Sequence, residues 1–506
     1  MLSDFKLQPL LGETRLVCLQ EAIDSLKFPL TFARMNMTSV PDEIRERQTM
    51  FRDLLGDEKF TAAFTDAHEK LVVLCETAKN IGDVRISSNE ELLYSLIELT
   101  TFTDAADALD EAYAAAEKIK SGRLLTFFRT IRNLTEDMQY INLKNWLNGL
   151  THGLRSIRSV TLGVNLDAQL NVSEVGIVSI NDQPYVSDKI LDRALRDETP
   201  PDEYKCIASL GIHESGGAFK KSTIVVNREL YSTLNGLYRD ALKNLRKYVT
   251  AEVQGAIREL LSAEDEIDFL LTSVKYMRTL KDAGLPLTFP EITDETTLLG
   301  LYNPLLTGKC RAAQIVPSNV SFSERERIWI LTGPNSGGKT VYLGAVGHAQ
   351  LMFQLGLPVC ARSAKMKPYE KILTHFVMTT QKQSESRLVN ETVRMKESLE
   401  QVTKNTLLLL DETFSSTSAY DAMFLAEALI KYLSRMGCST VYVTHLHELA
   451  GRIRAMDENS GVGMLTAKVA DGKRTYEIVP HDGEENTSSM ARDIVINSGL
   501  GFLFEE

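Results

Sequence analysis

The stretch Leu331-Thr-Gly-Pro-Asn-Ser-Gly-Gly-Lys-Thr340 restricts the possible folds more tightly than any other part of the chain. Gly333, Gly338, Lys339 and Thr340 satisfy G-x-x-x-x-G-K-[ST]. The apolar run Arg327-Ile-Trp-Ile-Leu331 before it predicts a buried strand. After it, Val341 to Leu355 carries Leu343, Val346 and Leu351 at helical spacing without a proline. A loop between such a strand and helix turns successive backbone N–H groups toward a polyphosphate, at the positive end of the helix dipole. Glycine is required where a Cβ would block that approach. Gly333, Pro334, Asn335, Ser336, Gly337 and Gly338 are therefore the expected phosphate cradle. Lys339 is expected at the β- and γ-phosphates, with the Thr340 hydroxyl on Mg²⁺. A chance glycine-rich turn is the plainer alternative, and the strand and helix on either side argue against it.

A second strand is expected at Asn405-Thr-Leu-Leu-Leu-Leu-Asp-Glu412, whose unbroken leucines suit a parallel strand buried on both faces. Two acids end it. Ligands of open α/β sheets sit at the C-terminal ends of strands, which places Asp411 to hold Mg²⁺ and Glu412 to activate an attacking water. A third strand, Ser439-Thr-Val-Tyr-Val-Thr444, brings His445 to the same edge, where an imidazole can sense a γ-phosphate or orient water. The His445-Leu-His447 spacing also permits a metal, but no cysteine or acid cluster completes a coordination shell. Trp329 reads as a core residue of its strand, and no aromatic stands out as a partner for a nucleotide base.

The rest of the chain supplies arms rather than chemistry. Residues 1 to 158 have helical periodicity and a charged outer face, and Ala105 to Lys120 is rich in strong helix formers before Ser121-Gly122. From Ser159 the pattern becomes Val160-Thr-Leu-Gly-Val-Asn-Leu166 and Val175-Gly-Ile-Val-Ser-Ile180, which predicts a β-rich insertion over 159–229. Lys220 and Lys221 are its candidate phosphate contacts, although a solvated pair is the commoner meaning of two adjacent lysines. Leu230 to Asp282 lacks proline and predicts one long helix, or two in series, spanning on the order of 75 Å. The phosphate-loop domain then fills 291–506, its first part a connector that leads, at about Arg325, to the nucleotide loop. The expected fold is multidomain, α plus α/β, with a mostly parallel sheet in its last part.

Composition narrows the partners and the compartment. A net charge of −12 over 506 residues argues against blanket affinity for nucleic acid, so any DNA contact must be local. Six cysteines without a C-x-x-C pair, and an amino terminus without a basic-then-apolar signal, point to a reducing cytoplasm.

Taken together, Thr332-Gly-Pro-Asn-Ser-Gly-Gly-Lys-Thr340, Leu410-Asp-Glu-Thr-Phe-Ser-Ser-Thr-Ser-Ala-Tyr-Asp421 and Val443-Thr-His-Leu-His-Glu-Leu449 closely resemble the MutS family of ATP-binding-cassette-like DNA mismatch repair ATPases. The resemblance is strong over about residues 300 to 500 and weaker over the arms. It implies ATP and Mg²⁺ as ligands and an ATP-dependent homodimer in which Ser386 approaches, in trans, the γ-phosphate held by the other copy. It also implies a helical core and lever carrying the β-rich insertion as a clamp around DNA. The sequence departs from the family at Arg387 after Ser386 and at Thr413-Phe-Ser-Ser416, where a Gly/Arg-containing segment is usual. The family's mismatch-reading and connector domains, and its C-terminal helix-turn-helix, are not expected within these residues. Recognition of DNA structure or backbone is therefore the expectation, rather than reading of a mismatched base. Two other readings stay open: a scaffold whose nucleotide only sets dimerisation, and another cassette-type chromosome-associated ATPase.

Overall fold

The computed structural model describes residues 5–11, 37–82, 90–154, 159–166, 172–181, 248, 250–376, 387–415, 417–455, 461–470 and 473–481. Its helices are α1 (Pro41–Gly56), α2 (Glu58–Gly82), α3 (Glu90–Ala115), α4 (Gly122–Thr135), α5 (Met138–Leu154), α6 (Ala251–Asp282), α7 (Lys339–Gln354), α8 (Arg387–Leu399), α9 (Ala419–Met436) and α10 (His447–Arg454). The chain divides into two compact units, the first made of 1–8, 59–117 and 126–264, the second of 9–58, 118–125 and 265–506.

Helical spacing builds the first unit. Phe60, Phe64, Ala67, Leu71 and Leu74 recur along one side of α2 and are all buried. Phe128 of α4 is the hub of its aromatic cluster, with ring centroids 5.4 Å from Phe60, 5.2 Å from Phe64 and 5.6 Å from Tyr113. The hairpin β1 (Ser159–Leu166) and β2 (Val172–Asn181) is antiparallel, with register shifts after Thr161 and Asn165. It is the described part of the expected β-rich insertion. Lys220, Lys221 and the start of the expected long helix at Leu230 lie outside the described residues. The described helix, α6, has 32 residues, about 48 Å of rise.

Two sheets organise the second unit. The smaller has the order β3 (Glu291–Ile292), β7 (Ser363–Met366), β4 (Thr296–Leu301), β5 (Ser318–Phe322). The expected connector before Arg325 is thus partly sheet; its strands are short, and β4 alternates buried and exposed residues as one packed face requires. The larger sheet has the order β12 (Lys473–Pro480), β11 (Val462–Ala470), β6 (Ile328–Thr332), β10 (Ser439–Val443), β9 (Thr406–Asp411), β8 (Lys371–His375). Every pairing in it is parallel except β11 with β12.

Strands β6, β9 and β10 are buried along almost their whole length because both their faces are covered, which is why their middles are apolar. Leu408, Leu410, Ile330 and Tyr442 pack with α8, α9 and α10 in one cluster. Alternation turns Leu407, Leu409 and Val441, equally buried, to the opposite face, and α7 lies against β9 and β10. α7 leaves β6 through the glycine-rich loop, and its far end is fixed as well. The Gln354 amide donates to the Thr38 carbonyl at 3.1 Å and the Tyr369 carbonyl at 2.8 Å. Gly356 follows at φ 83, where an added Cβ would stand 2.2 Å from the Arg47 Cβ.

Candidate nucleotide site

The glycine-rich loop follows β6 and ends at Gly338, the residue before α7, at φ 95, and no side chain among the described residues caps the helix. The first-turn N–H groups of α7 are thus left to an anion. Gly333 has φ 133, and a Cβ there would lie 2.8 Å from the Ala467 Cβ. At Gly337 a Cβ would meet the Pro334 carbonyl oxygen at 2.9 Å. Ala467 on β11 therefore backs the loop so closely that only glycine fits at these places.

Lys339, 5% exposed, donates through Nζ to the Gly333 carbonyl at 2.9 Å and the Pro334 carbonyl at 3.1 Å. Burial lowers its pKa, against the pull of Glu412 and Asp411 nearby. The side chain curls over its own loop, in the space where a phosphate would offer better acceptors.

The acids stand at the end of β9. Burial pushes the Asp411 carboxyl up, and the Thr340 hydroxyl beside it pulls the other way. Asp411 Oδ1 is buried without a hydrogen-bond partner among the described residues. A hydroxyl and one orphaned carboxylate oxygen beside a phosphate cradle match the sparse protein ligation that Mg²⁺ takes when a substrate phosphate and waters complete its shell. The residues present therefore fit the metal. Glu412 lies next along the chain at φ 50, its N–H donating to the Val443 carbonyl at 2.9 Å. Its Oε1 is 2.6 Å from Nε2 of His445, which β10 delivers as expected.

The structure therefore brings Gly333 to Thr340, Asp411, Glu412 and His445 together at one edge of the larger sheet. Ser386 lies outside the described residues. His447 opens α10, and burial lowers its pKa, with His445, Lys339 and His481 acting in the same direction. Among the described residues no group of three or more His, Cys, Asp or Glu side chains is arranged to hold a metal.

Sequence reasoning missed the other wall. A cavity of about 520 Å³ adjoins the loop, and Leu301, Tyr302, Cys310, Val316, Tyr476 and Ile478 line it together with Asn335, Lys339, Thr340 and Glu412. Asn303 shapes its floor, accepting from the Leu305 N–H at 2.9 Å and donating to the Val341 carbonyl at 3.0 Å. Tyr476 is 52% exposed and held at φ 62 on β12. The cavity offers apolar and aromatic walls beside a phosphate cradle, the proportions of a nucleotide. The break at Asn303-Pro304 was the one available signal, whereas Tyr476 is one β-strand residue among several.

A family model described as MutS domain V matches residues 329–489. The DNA mismatch repair protein MutS of Prochlorococcus marinus (strain MIT 9301) is 27% identical over 210 residues, 41% of this chain and 23% of that protein. That of Rickettsia prowazekii (strain Madrid E) is 25% identical over 365 residues, 63% of this chain and 41% of that one. That of Macrococcus caseolyticus (strain JCSC5402) is 24% identical over 395 residues, covering 76% and 43%. The matched stretches cover less than half the length of each of these relatives.

Proposed function

Since the chain belongs to the MutS family, we propose that it is a DNA-binding ATPase in which binding and hydrolysis of ATP move a clamp on DNA, in mismatch repair or a related repair or recombination role. The observation that carries the reading is the convergence of Lys339, Thr340, Asp411, Glu412 and His445 on one sheet edge, beside a cavity of nucleotide proportions.

In this reading the loop N–H groups and Lys339 bind the β- and γ-phosphates and offset charge that develops as the terminal phosphoryl group leaves. Thr340 and Asp411 hold Mg²⁺, which when bound neutralises and orients the phosphate oxygens. Glu412 takes the proton of the attacking water. His445 holds the Glu412 carboxylate and faces the γ-phosphate. The base occupies the cavity between Tyr302, Val316 and Tyr476.

A homodimer joined by ATP fits the surface that follows the acids. Tyr420 is 82% and Phe424 69% exposed on α9, and Val389 and Val393 are exposed on α8, immediately after the segment containing Ser386. Exposed aromatics of this size suit a partner surface. The assignment of 1–158 to a core, 159–229 to a clamp, 230–290 to a lever and 291–506 to the ATPase is part of the same proposal. So is a cytoplasmic location, with which the described helices agree, none being long and apolar enough to cross a membrane.

The test compares phosphate release by the wild type, Lys339→Ala and Glu412→Gln, with and without duplex and branched DNA at stated salt. Loss of turnover in both variants and stimulation by DNA are expected. Unchanged turnover in both removes the catalytic assignment, and indifference to every DNA removes the clamp.

A further inference from the structure

The turn from Glu412 to Ser415 holds two non-glycine residues in the left-handed region, Glu412 at φ 50 and Phe414 at φ 67. Such a conformation costs free energy and persists only where the surroundings over-determine it. Here they do so from three sides. The Glu412 N–H is held by the Val443 carbonyl at 2.9 Å. The Thr413 carbonyl accepts from the Tyr442 hydroxyl at 3.1 Å, and the Thr413 hydroxyl lies 3.2 Å from Nδ1 of the buried His375. The Phe414 N–H donates to Glu391 Oε1 at 2.6 Å, a short charge-assisted bond, while the Phe414 ring is buried in the core against the sheet. Nε2 of His375 is 3.4 Å from the Glu391 carbonyl, so α8 and the end of β8 meet at the same turn.

We propose that Glu391 is a positioning residue for Glu412: by accepting the Phe414 N–H, its carboxylate holds the strained turn in which the Glu412 side chain points to the phosphate site. The claim rests on reading Glu412 as the group that activates water. This bond ties the turn's backbone to a side chain outside the sheet. It links the aim of Glu412 to the helix that begins one residue after Ser386. A carboxylate suits the task because it accepts a strong hydrogen bond from a backbone group with no regular partner, and removing it frees the turn to relax toward ordinary dihedrals. A general base displaced by about 1 Å loses on the order of 100-fold in rate, whereas the phosphate cradle and the cavity, whose lining among the described residues does not include Glu391, keep their affinity.

The experiment uses the full chain as wild type, E391A, E391Q, E412Q and the E391A/E412Q double variant. Three readouts are taken: steady-state kcat and KM for ATP with Mg²⁺, equilibrium binding of a fluorescent ATP analogue, and hydrogen exchange of the peptide spanning 412–415. The expected result is a kcat about 100-fold lower in E391A, with KM and analogue affinity within about twofold of wild type. In E391Q the amide oxygen still accepts the Phe414 N–H, so kcat recovers to within about fivefold and the peptide stays protected, whereas in E391A its exchange accelerates. On the E412Q background E391A adds less than about twofold, because the group it positions is already gone.

Wild-type kcat in E391A, failure of E391Q to recover, or a full additional loss in the double variant overturns the proposal and leaves the hydrolase reading standing. A wild type without turnover overturns the hydrolase reading instead. Hydrogen exchange then decides separately whether Glu391 holds the turn, and equal protection in wild type and E391A overturns that too.

Discussion

Replacing Lys339 with methionine keeps most of the aliphatic volume of a buried side chain and deletes its charge. Without ligand the ammonium donates to two carbonyls, at 2.9 Å and 3.1 Å, and burial lowers its pKa. Two terms oppose each other. Hydrogen bonds from a charged donor contribute about 1.5–3 kcal/mol each, while taking the ammonium out of water costs several kcal/mol. They nearly offset, so the ligand-free variant is expected to lose no more than about 1–2 kcal/mol, a Tm change of only a few degrees in a chain of this size. Binding has no such compensation. An ammonium against phosphate oxygens is a charge-assisted contact, and its loss is expected to cost about 2–4 kcal/mol, roughly 30- to 1,000-fold in Kd. Thermal melts and titration with a fluorescent ATP analogue in Mg²⁺ measure the two effects separately. A folded variant that binds within about threefold of wild type refutes the assignment of Lys339. A variant that fails to fold refutes the offset between its hydrogen bonds and its desolvation.

Three further predictions draw on other parts of the structure. Burial raises the Asp411 pKa, so the folded state holds that proton more tightly than the unfolded chain does. Ionised Asp411 therefore costs stability at neutral pH, and the cost is relieved as pH falls through the raised value. Asp411→Asn is accordingly expected to raise the Tm of the ligand-free protein while abolishing stabilisation by Mg²⁺ with ATP; a lower ligand-free Tm would contradict the desolvation argument. Phe128→Ala removes the hub of the aromatic cluster in the first unit and is expected to cost about 3–5 kcal/mol in denaturant unfolding. A loss below about 1 kcal/mol would mean the cluster is not packed as described. Cys310 is partly exposed on the cavity wall, whereas burial pushes the Cys360 thiol up to about 12. Mass-spectrometric mapping of alkylation is expected to show Cys310 modified, protected by ATP with Mg²⁺, and Cys360 inert; equal labelling of Cys310 with and without nucleotide would remove it from the site.

The parts of the site legible in the sequence were those whose chemistry forces a residue type at a fixed spacing. Ala467 stands within 3.0 Å of any Cβ at Gly333 or Gly337, which is why those positions must be glycine. Four leucines before Asp411 mark a strand covered on both faces, and His445 follows a strand of the same kind. The cavity wall was not legible because it is assembled from distant pieces. Tyr302 follows β4, Val316 precedes β5, and Tyr476 lies on the antiparallel edge strand β12. Each of these strands is short or half-exposed, and nothing local announces that β4 pairs with β7 across the whole of α7. The strained turn at Glu412 and Phe414 was hidden for a related reason. Left-handed backbone is signalled by glycine, and here glutamate and phenylalanine adopt it under tertiary restraint from Glu391, Tyr442 and the core.

Whether one sheet edge grips a magnesium nucleoside triphosphate is read most directly by calorimetric titration of the purified chain with ATP, in Mg²⁺ and then in EDTA. One saturable site per chain is expected, its affinity falling sharply when the metal is withheld, with Asp411→Asn indifferent to that change. Absence of saturable binding, or binding of equal strength with and without Mg²⁺, would contradict it.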